Sequence, residues 1–240
     1  MDLKGKTILI TGAAARVGRA MALAAAEAGC NIVIHYWRSE EEAQKTKVDA
    51  EEFGVEATLV QGNLANAEEA VSIVERACDQ KPIYGLVNSA SLFQDHKLAD
   101  TDLPSWEMHM AVNLRAPFLM SQTFAKLVGE GEGRIVNILD WRALRPGADH
   151  FAYTISKAGL AAMTRSLAVS LAPNIIVNAI AFGAILPPSD GGDTEGILEK
   201  VPAMRWANLD EVGETLLFLL EGPTYITGEI IHLAGGRQLI

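Results

Sequence analysis

The sequence predicts a doubly wound α/β fold, in which helices cover both faces of a parallel sheet. Seven short apolar segments recur along the 240 residues, and six longer segments with helical periodicity alternate with them. The apolar segments are continuous rather than alternating, which indicates strands buried on both faces, as in parallel sheets. Because ligands of such sheets bind beyond the carboxyl ends of the strands, functional residues are expected directly after each strand.

The predicted elements follow one another with short connections. The strands are Thr7–Ile10, Asn31–His35, Ala57–Val60, Gly85–Val87, Arg134–Leu139, Ile175–Ile180 and Glu229–Leu233. The helices are 18–28, 39–53, 67–79, 104–128, 151–171 and 209–220. The irregular stretch Phe182–Gly196 is rich in Pro, Gly and Asp and is predicted to form a loop over a site. Since no repeat or linker interrupts the chain, a single domain over residues 1–240 is expected.

Composition and charge exclude several classes of protein. Hydrophobic residues make up 49% of the chain and charged residues 21%, which argues against disorder. A net charge of −10 is not expected to bind nucleic acid or an anionic membrane. Two cysteines and five scattered histidines show no disulfide or metal-site spacing. Without a signal-peptide pattern or an apolar run of spanning length, a cytoplasmic protein with a small-molecule partner is expected.

The turn after the first strand predicts a phosphate site. Small residues in Thr11–Gly18 open a helix whose N-terminal N–H groups can hold a pyrophosphate, although an ordinary strand-to-helix turn is the alternative. The turn resembles the Thr-Gly-x-x-x-Gly-x-Gly turn of short-chain dehydrogenases, with Arg16 in place of the middle glycine, as in the pteridine reductase branch. The resemblance implies a Rossmann-type seven-stranded sheet. It also implies that Gly12, Arg16, Val17 and Gly18 bind the cofactor.

The end of the second strand indicates NADPH rather than NADH. Dehydrogenases that prefer NADH carry an acidic residue near this point, and this chain has none before Glu40. Arg38 and Ser39 can instead bind a 2′-phosphate. A solvated arginine at a helix start is the alternative. The segment Tyr36-Trp37-Arg38-Ser39 also resembles the pteridine reductases, which implies that all four residues lie at the cofactor.

Two further cofactor segments follow the third and fourth strands. Asn63-Leu64 stands where the resembled family has Asp-Leu or Asp-Val beside the adenine. Asn88-Ser89-Ala90-Ser91 resembles the Asn-Asn-Ala-Gly segment that packs against the cofactor, so Asn88, Ser89 and Ala90 are expected there and Ser91 at the substrate. Phe93 matches the aromatic residue that stacks the pterin in pteridine reductases, although an ordinary core phenylalanine is the alternative.

Tyr153 and Lys157 form the predicted reaction centre. They lie one helical turn apart on one face, and a chance pair is the alternative. With Asn113 they resemble the catalytic set of short-chain dehydrogenases. Tyr153 is expected to donate a proton, with a pKa lowered by the Lys157 cation. The resemblance implies that Lys157 also holds the nicotinamide ribose and that Asn113 supports a chain of waters.

Asp140 departs from the serine that most members of this family carry. A carboxylate would repel a developing alkoxide, and burial near a cofactor is expected to raise its pKa. It suits a heteroaromatic ring with nitrogen donors and protonatable imine nitrogens. Pteridine reductases carry this aspartate, and their Asp–Tyr–Lys spacing matches Asp140, Tyr153 and Lys157. An aspartate that disables the enzyme is the alternative.

The segment after the sixth strand is expected to border the nicotinamide. Asn178–Ile185 resembles the family's Asn-x-x-x-Pro-Gly segment, with Phe182 replacing the proline, which implies that Gly183 and Ile185 approach the nicotinamide amide. The loop Leu186–Thr194 is expected to shape the substrate pocket. The family also implies a homotetramer, assembled through the helices 104–128 and 151–171.

The combined expectation is an NADPH-dependent oxidoreductase that transfers a hydride to a C=N or C=O acceptor. A dihydropterin or related bicyclic heterocycle is the favoured substrate. Two alternatives remain: a general carbonyl or 3-oxoacyl-thioester reductase, and a weakly catalytic protein that binds NADPH as a sensor or scaffold. Asp140 argues against the first alternative, and the intact set of Asn113, Tyr153 and Lys157 argues against the second.

Overall fold

A computed structural model describes residues 3–187 and 196–240 of the chain. The strands are β1 Thr7–Ile10, β2 Asn31–Tyr36, β3 Ala57–Gln61, β4 Gly85–Asn88, β5 Gly133–Asp140, β6 Ile175–Phe182 and β7 Ile230–Leu233. The helices are α1 Arg16–Glu27, α2 Glu40–Glu51, α3 Ala67–Gln80, α4 Leu103–Met110, α5 Ala116–Val128, α6 Phe151–Leu171 and α7 Leu209–Glu221. Among these described residues, no helix is both long and apolar enough to cross a membrane.

All seven strands form one parallel sheet in the order β3-β2-β1-β4-β5-β6-β7. The order reverses between β1 and β4, so the connections to either side leave a crevice at the carboxyl ends of these two strands. This topology confirms the predicted doubly wound, Rossmann-type fold. It also gathers the segments that follow all seven strands along one edge of the sheet.

Alternation along the strands builds two apolar layers, one on each face of the sheet. Ile8 and Ile10 of β1 pack in one layer with residues of α1 and α7, among them Met21. Leu9 faces the other side, where it packs with residues of α3 and α5, among them Phe124. Because successive strand residues point to opposite faces, a continuous apolar run is needed wherever helices cover both.

The predicted and observed elements differ mainly at their ends and in one helix. β6 continues to Phe182, two residues beyond its predicted end, because it pairs with β5 over its whole length. The single helix predicted over 104–128 is interrupted by a π-helical turn at Ala111–Arg115. Of the expected pocket loop Leu186–Thr194, only Leu186 and Pro187 lie within the described residues.

Candidate active site

The phosphate turn depends on close backbone packing at two glycines. Gly12 has a φ of +66°, and a Cβ there would lie 3.0 Å from the Ala90 Cα. A Cβ at Gly18 would collide with the Gly12 carbonyl oxygen, because α1 begins directly against the turn. Val17 packs partly against the core, and the N-cap residue Ala15 provides no side-chain cap, which leaves the first N–H groups of α1 to an incoming ligand.

Arg16 adopts a backbone conformation that favours glycine, with a φ of +53°. This explains why the resembled turn carries glycine at the same place. The exposed Arg16 side chain donates a hydrogen bond of 2.6 Å from Nη2 to the Pro187 carbonyl oxygen. Arg16 thus joins the phosphate turn to the segment after β6, and its guanidinium reaches over the site rather than away from it.

His35, which the sequence interpretation missed as a functional residue, fastens the phosphate turn to the sheet. The Gly12 N–H donates to His35 Nδ1 at 3.1 Å, and His35 Nε2 lies 3.0 Å from the Gly62 carbonyl oxygen. Because Nδ1 accepts, Nε2 carries the proton and the ring is neutral. Burial lowers the pKa of His35 to about 4, against the opposing hydrogen bond to Gly62. A polar residue inside the apolar run of β2 was the available sequence signal.

The end of β2 places the predicted 2′-phosphate residues together. Tyr36 is buried, whereas the Trp37 ring is half-exposed and lies 5.9 Å from the Arg38 guanidinium carbon. No acidic side chain of residues 3–187 or 196–240 forms an ion pair with Arg38. Ser39 stands at the N-terminus of α2. The guanidinium is therefore open to an anionic ligand.

The segments after β3 and β4 are held by short hydrogen bonds. Asn63 Oδ1 accepts from the Ala65 N–H at 3.0 Å, which fixes the direction of the amide, and Leu64 is buried beside it. Thr11 Oγ1 accepts from the N–H groups of Ser89 and Ala90 at 2.8 and 2.9 Å. These contacts bring the turn after β4 against the turn after β1.

A buried amide chain links the centre of the sheet to α6. Asn88 Nδ2 donates to Asn137 Oδ1 at 2.8 Å, and Asn137 Nδ2 donates to Thr164 Oγ1 at 3.0 Å. These two bonds offset part of the cost of removing the amides from water, whereas Asn88 Oδ1 has no partner among the described residues. The network aligns β4 with β5 and α6, the elements that carry Asp140, Tyr153 and Lys157.

Asn113 lies in the π-helical turn and uses its whole side chain within the protein. Nδ2 donates to the Leu92 carbonyl oxygen at 2.9 Å and to Ser156 Oγ at 3.0 Å. Oδ1 accepts from the Leu92 N–H at 2.8 Å and from Ser91 Oγ at 3.3 Å. With two donors and two acceptors occupied, the side chain ties the segment after β4 to α6. The support of a water chain by Asn113 stays a prediction.

Tyr153, Lys157 and Asp140 come together as the spacing predicts. Tyr153 Oη donates to Asp140 Oδ2 at 3.3 Å. Lys157 Nζ lies 5.8 Å from the centre of the Tyr153 ring and donates to the Ile138 carbonyl oxygen at 2.7 Å. Tyr153 and Lys157 are both buried, and Asp140, the last residue of β5, caps the short 3-10 turn Trp141–Ala143. The three groups therefore form one cluster at the carboxyl edge.

The expectation that Lys157 lowers the pKa of Tyr153 is wrong. Burial, followed by the Asp140 carboxylate, raises the pKa of Tyr153 well above its usual value of 10.0. Lys157 directs its ammonium at a backbone carbonyl rather than at the phenol. Burial also lowers the pKa of Lys157 to about 8, while Asp140 opposes this change. As expected, burial raises the pKa of Asp140, against the opposing charge of Arg142.

Arg142 and Asp149, which the sequence interpretation missed, hold the Asp140 carboxylate. Asp140 Oδ1 accepts from the Arg142 backbone N–H at 2.9 Å and lies 3.6 Å from Arg142 Nη1. Arg142 Nη2 donates to Asp149 Oδ2 at 2.9 Å. Burial opposes ionisation of Asp149, but the hydrogen bond and the charge of Arg142, together with His150, outweigh it and lower the pKa of Asp149 to about 2. No local sequence motif marks this pair.

Phe93 stands at the mouth of the cluster. Its ring meets the Tyr153 ring edge-on, with centroids 4.7 Å apart, and stacks on the His150 ring at 4.3 Å. Half of the Phe93 side chain is exposed, so one side of it is open to a flat ligand. His150 Nδ1 lies 3.0 Å from Asp149 Oδ2, which connects the aromatic pair to the ionic cluster. His150 was also missed from the sequence.

Gly183 and Ile185 line the edge beside β7. The Gly183 N–H donates to the Leu233 carbonyl oxygen at 3.0 Å, and a Cβ at Gly183 would come within 2.6 Å of the Ala234 Cα. Ile185 is buried. The segment after β6 is therefore pressed against the C-terminal segment, and only glycine fits at the contact.

Several solved structures similar to this chain contain NADP or NADPH. The family model described as Enoyl-(Acyl carrier protein) reductase matches residues 12–238. A 3-oxoacyl-[acyl-carrier-protein] reductase of Synechocystis sp. is 32% identical, over 99% of this chain and 98% of that protein. One from Aquifex aeolicus is 35% identical, over 98% of each. The NADP complex of FolM alternative dihydrofolate reductase 1 from Brucella canis is 36% identical, with a TM-score of 0.92, and covers 100% of this chain and 97% of that one.

These likenesses extend over almost the whole chain and include the phosphate turn and the Tyr153 region alike. Three structural neighbours were crystallised with NADP and match the fold of this chain with TM-scores of 0.92, 0.89 and 0.92. The sequence resemblance noted above is therefore confirmed: the chain belongs to the short-chain dehydrogenase/reductase family and is an NADP-dependent oxidoreductase.

Proposed function

We propose that this NADP-dependent oxidoreductase reduces a C=N bond of a dihydropterin or a related bicyclic heterocycle. The observation that carries the proposal is the 3.3 Å contact between Tyr153 Oη and Asp140 Oδ2, with the half-exposed Phe93 ring against Tyr153. The cluster combines a phenol, a carboxylate and a flat apolar surface. A planar ring with polar nitrogen atoms matches all three.

The residues at β1 and β2 fit the cofactor. Because Gly12 and Gly18 have no side chain, a ligand and the start of α1 can lie close to the backbone of the phosphate turn. The uncapped N-terminus of α1 favours the binding of phosphate. We propose that Arg38 and Ser39, beside Trp37, hold the 2′-phosphate, that Arg16 reaches the phosphates, and that the segments around Asn63, Asn88 and Gly183 border the rest of the cofactor. When bound, the reduced cofactor supplies the hydride.

The chain's own residues supply the proton and orient the substrate. A phenol with a raised pKa stays protonated at neutral pH, so Tyr153 can donate its proton to the substrate nitrogen that becomes basic. Asp140 then accepts a ring N–H bond or returns a proton to Tyr153, since burial raises its own pKa. Lys157 holds positive charge beneath the tyrosine, and Asn113 positions Ser91 and Leu92 beside it.

Asp140 distinguishes this proposal from reduction of an ordinary ketone. A ketone becomes an alkoxide, and a carboxylate 3.3 Å from the proton donor would repel it. An imine becomes a neutral amine after protonation and gains hydrogen-bond capacity toward Asp140. The name of the Brucella relative supports a pterin-like substrate, whereas the names of the curated relatives support 3-oxoacyl thioesters. The thioester reductase is therefore the second candidate.

A substrate panel tests the proposal. NADPH oxidation is followed with a 7,8-dihydropterin, a quinonoid dihydropterin, dihydrofolate and an acetoacetyl thioester. Turnover of a pterin but not of the thioester is expected. Turnover of the thioester alone would contradict the proposal and favour the second candidate. Tight NADPH binding without turnover of any compound would instead favour the sensor or scaffold.

Exposed apolar side chains on α5 and α6 bear on how the protein assembles. We infer a cytoplasmic homotetramer that buries apolar residues of α5 and α6. Phe118 and Ile155 are 43% and 40% exposed, and Val169 is 83% exposed. Light scattering on the purified protein is expected to give four times the 25.8 kDa chain mass. A monomer would contradict the assembly, while the catalytic proposal would be unaffected.

A further inference from the structure

The C-terminal segment lies beside the reaction centre because three strands end in one row. Asp140 of β5 pairs with Phe182 of β6, and Phe182 pairs with Leu233 of β7. After β7, Gly235 and Gly236 have φ values of +58° and +86°, a conformation that turns the chain sharply. The turn brings Arg237 back over the carboxyl ends of the strands.

Arg237 lies over the ring of Trp141, the residue that follows Asp140. Its guanidinium carbon is 4.8 Å from the centre of the ring, and the Arg142 guanidinium is 4.9 Å from the same ring. A tryptophan ring contacted by two guanidinium groups restricts their orientation through cation–π attraction. The two arginines and Trp141 therefore form one cationic wall directly beside the site.

The two arginines of this wall differ in their partners. Arg142 is bound to Asp149 and to Asp140. Arg237 has no carboxylate within ion-pair distance and no hydrogen bond from its side chain, as far as the structure describes the chain. Burial and the repulsion of Arg142 lower the pKa of Arg237, opposed by Asp140 and Asp149. The positive charge of a partly desolvated guanidinium that has no carboxylate partner is poorly compensated until an anionic ligand binds.

We propose that Arg237, oriented by Trp141, binds a carboxylate on the substituent of the substrate, so that the enzyme selects acidic heterocycles such as a dihydropterin with a carboxylate tail. This inference rests on the proposed function and narrows its substrate class. A guanidinium presents two parallel N–H donors that match a carboxylate. Phe93 and Asp140 would hold the ring, and Arg237 the tail.

The electrostatics around the site require such a cation if the substrate is an anion. The chain carries a net charge of −10, and Asp140, Asp149 and Asp95 surround the ring-binding surface. These carboxylates repel an acidic tail unless a local positive charge offsets them. The cofactor phosphates are a poor match for Arg237, because the phosphate turn follows β1, and β4 separates that strand from β5.

Two substrates and three variants test the subsite. 7,8-Dihydrofolate carries carboxylates, whereas 7,8-dihydrobiopterin has the same ring system and a neutral side chain. Arg237→Gln is expected to raise KM for dihydrofolate about tenfold or more, with kcat nearly unchanged, and to leave KM for dihydrobiopterin unaltered. Arg237→Lys is expected to recover part of the loss. Lys45→Gln, which removes an exposed cation of α2, is the control and is expected to change KM for neither compound.

Binding to the NADP⁺ complex is measured in parallel, by calorimetry, so the inference is decided separately from turnover. An equal effect of Arg237→Gln on both compounds, or none on either, would overturn the carboxylate subsite while the reductase proposal stands. If neither compound is reduced, the reductase proposal fails. In that event the binding measurement decides the subsite. A lower affinity of Arg237→Gln for dihydrofolate would still support it, and an unchanged affinity would overturn it. A thermal melt equal to that of the parent chain shows that the variant is folded.

Discussion

The two ends of the site are built by different means. At the cofactor end, β1 and β2 present backbone groups, glycines and a neutral His35. At the reacting end, β5 and α6 bring Asp140, Tyr153 and Lys157 within a few ångströms, with Arg142 and Asp149 behind them. Ligand binding at the cofactor end depends on the shape of the backbone, whereas the chemistry at the reacting end depends on which groups hold protons.

This difference predicts how each end responds to substitution. A change at the reacting end removes one group from a coupled set and is expected to affect turnover far more than binding. A change at the cofactor end is expected to affect affinity, cofactor preference or stability, because its groups only position the ligand. The following substitutions test that contrast.

Tyr153→Phe is expected to have the largest effect. It removes only the hydroxyl that donates the proton, so kcat is expected to fall by about 10²- to 10⁴-fold, while NADPH affinity stays within about twofold. Single-turnover kinetics and fluorescence titration measure the two quantities. Tyr225→Phe, at a fully exposed tyrosine, is the control. Turnover of Tyr153→Phe comparable to that of the parent chain would remove Tyr153 from the mechanism.

Asp140→Asn tests whether the carboxylate acts through its charge and proton. The amide keeps the size and the bond from the Arg142 N–H, but it cannot accept or return a proton. We expect kcat for the pterin to fall by about 10- to 100-fold with a flattened pH profile and unchanged NADPH affinity. Asp79→Asn, at an exposed carboxylate of α3, is the matched control. Full pterin turnover by Asp140→Asn would favour the thioester candidate.

Arg38→Ala tests the cofactor end. Losing one charge-assisted bond to the 2′-phosphate is expected to reduce the NADPH/NADH ratio of kcat/KM about tenfold, mainly through KM. Lys45→Ala removes an exposed cation from α2 and controls for the general loss of positive charge. If Arg38→Ala leaves the NADPH/NADH ratio of kcat/KM unchanged, the 2′-phosphate binds elsewhere.

His35 is expected to make the cofactor end sensitive to acid. Its pKa is about 4 in the folded protein and 6.5 when unperturbed, so the unfolded chain binds the extra proton first. The stabilisation is complete above pH 6.5 and is lost as the pH falls toward 4, at up to about 1.4 kcal/mol per pH unit. Denaturant unfolding of the parent chain and of His35→Gln measures it. A pH slope that is equal in the two proteins would contradict the tautomer assigned to His35.

Most of the fold follows from local patterns in the sequence. The seven strands start and end within two residues of their predicted bounds, because each is a continuous apolar run between turn residues. The interruption at Ala111–Arg115 was not predictable, since Val112 and Leu114 continue a helical pattern through it. The four hydrogen bonds of Asn113, to partners distant in the chain, accompany that change.

The candidate site likewise contains residues that a local sequence pattern predicts and residues that only the folded structure brings together. Residues in short spaced motifs, such as Gly12, Tyr153 and Lys157, were found because a local spacing carries their chemistry. Arg142 and His150 follow no such spacing, and their partners become neighbours only when the loops after β4 and β5 meet. The direction of the Tyr153 pKa was wrong for a related reason: the sequence shows that Lys157 is near, but not that the phenol is buried.

The sequence by itself determined the parallel sheet, because buried strands show as continuous apolar runs. It also determined the family and the NADP cofactor, because its motifs, among them the spacing of Asp140, Tyr153 and Lys157, resemble those of short-chain dehydrogenases. Only the tertiary structure decided which charges meet across elements. It directed Lys157 at the Ile138 carbonyl, bound Arg142 to Asp149, and placed Arg237 over Trp141. Electrostatic effects depend on distance in space and on burial, and neither quantity is set by neighbours along the chain.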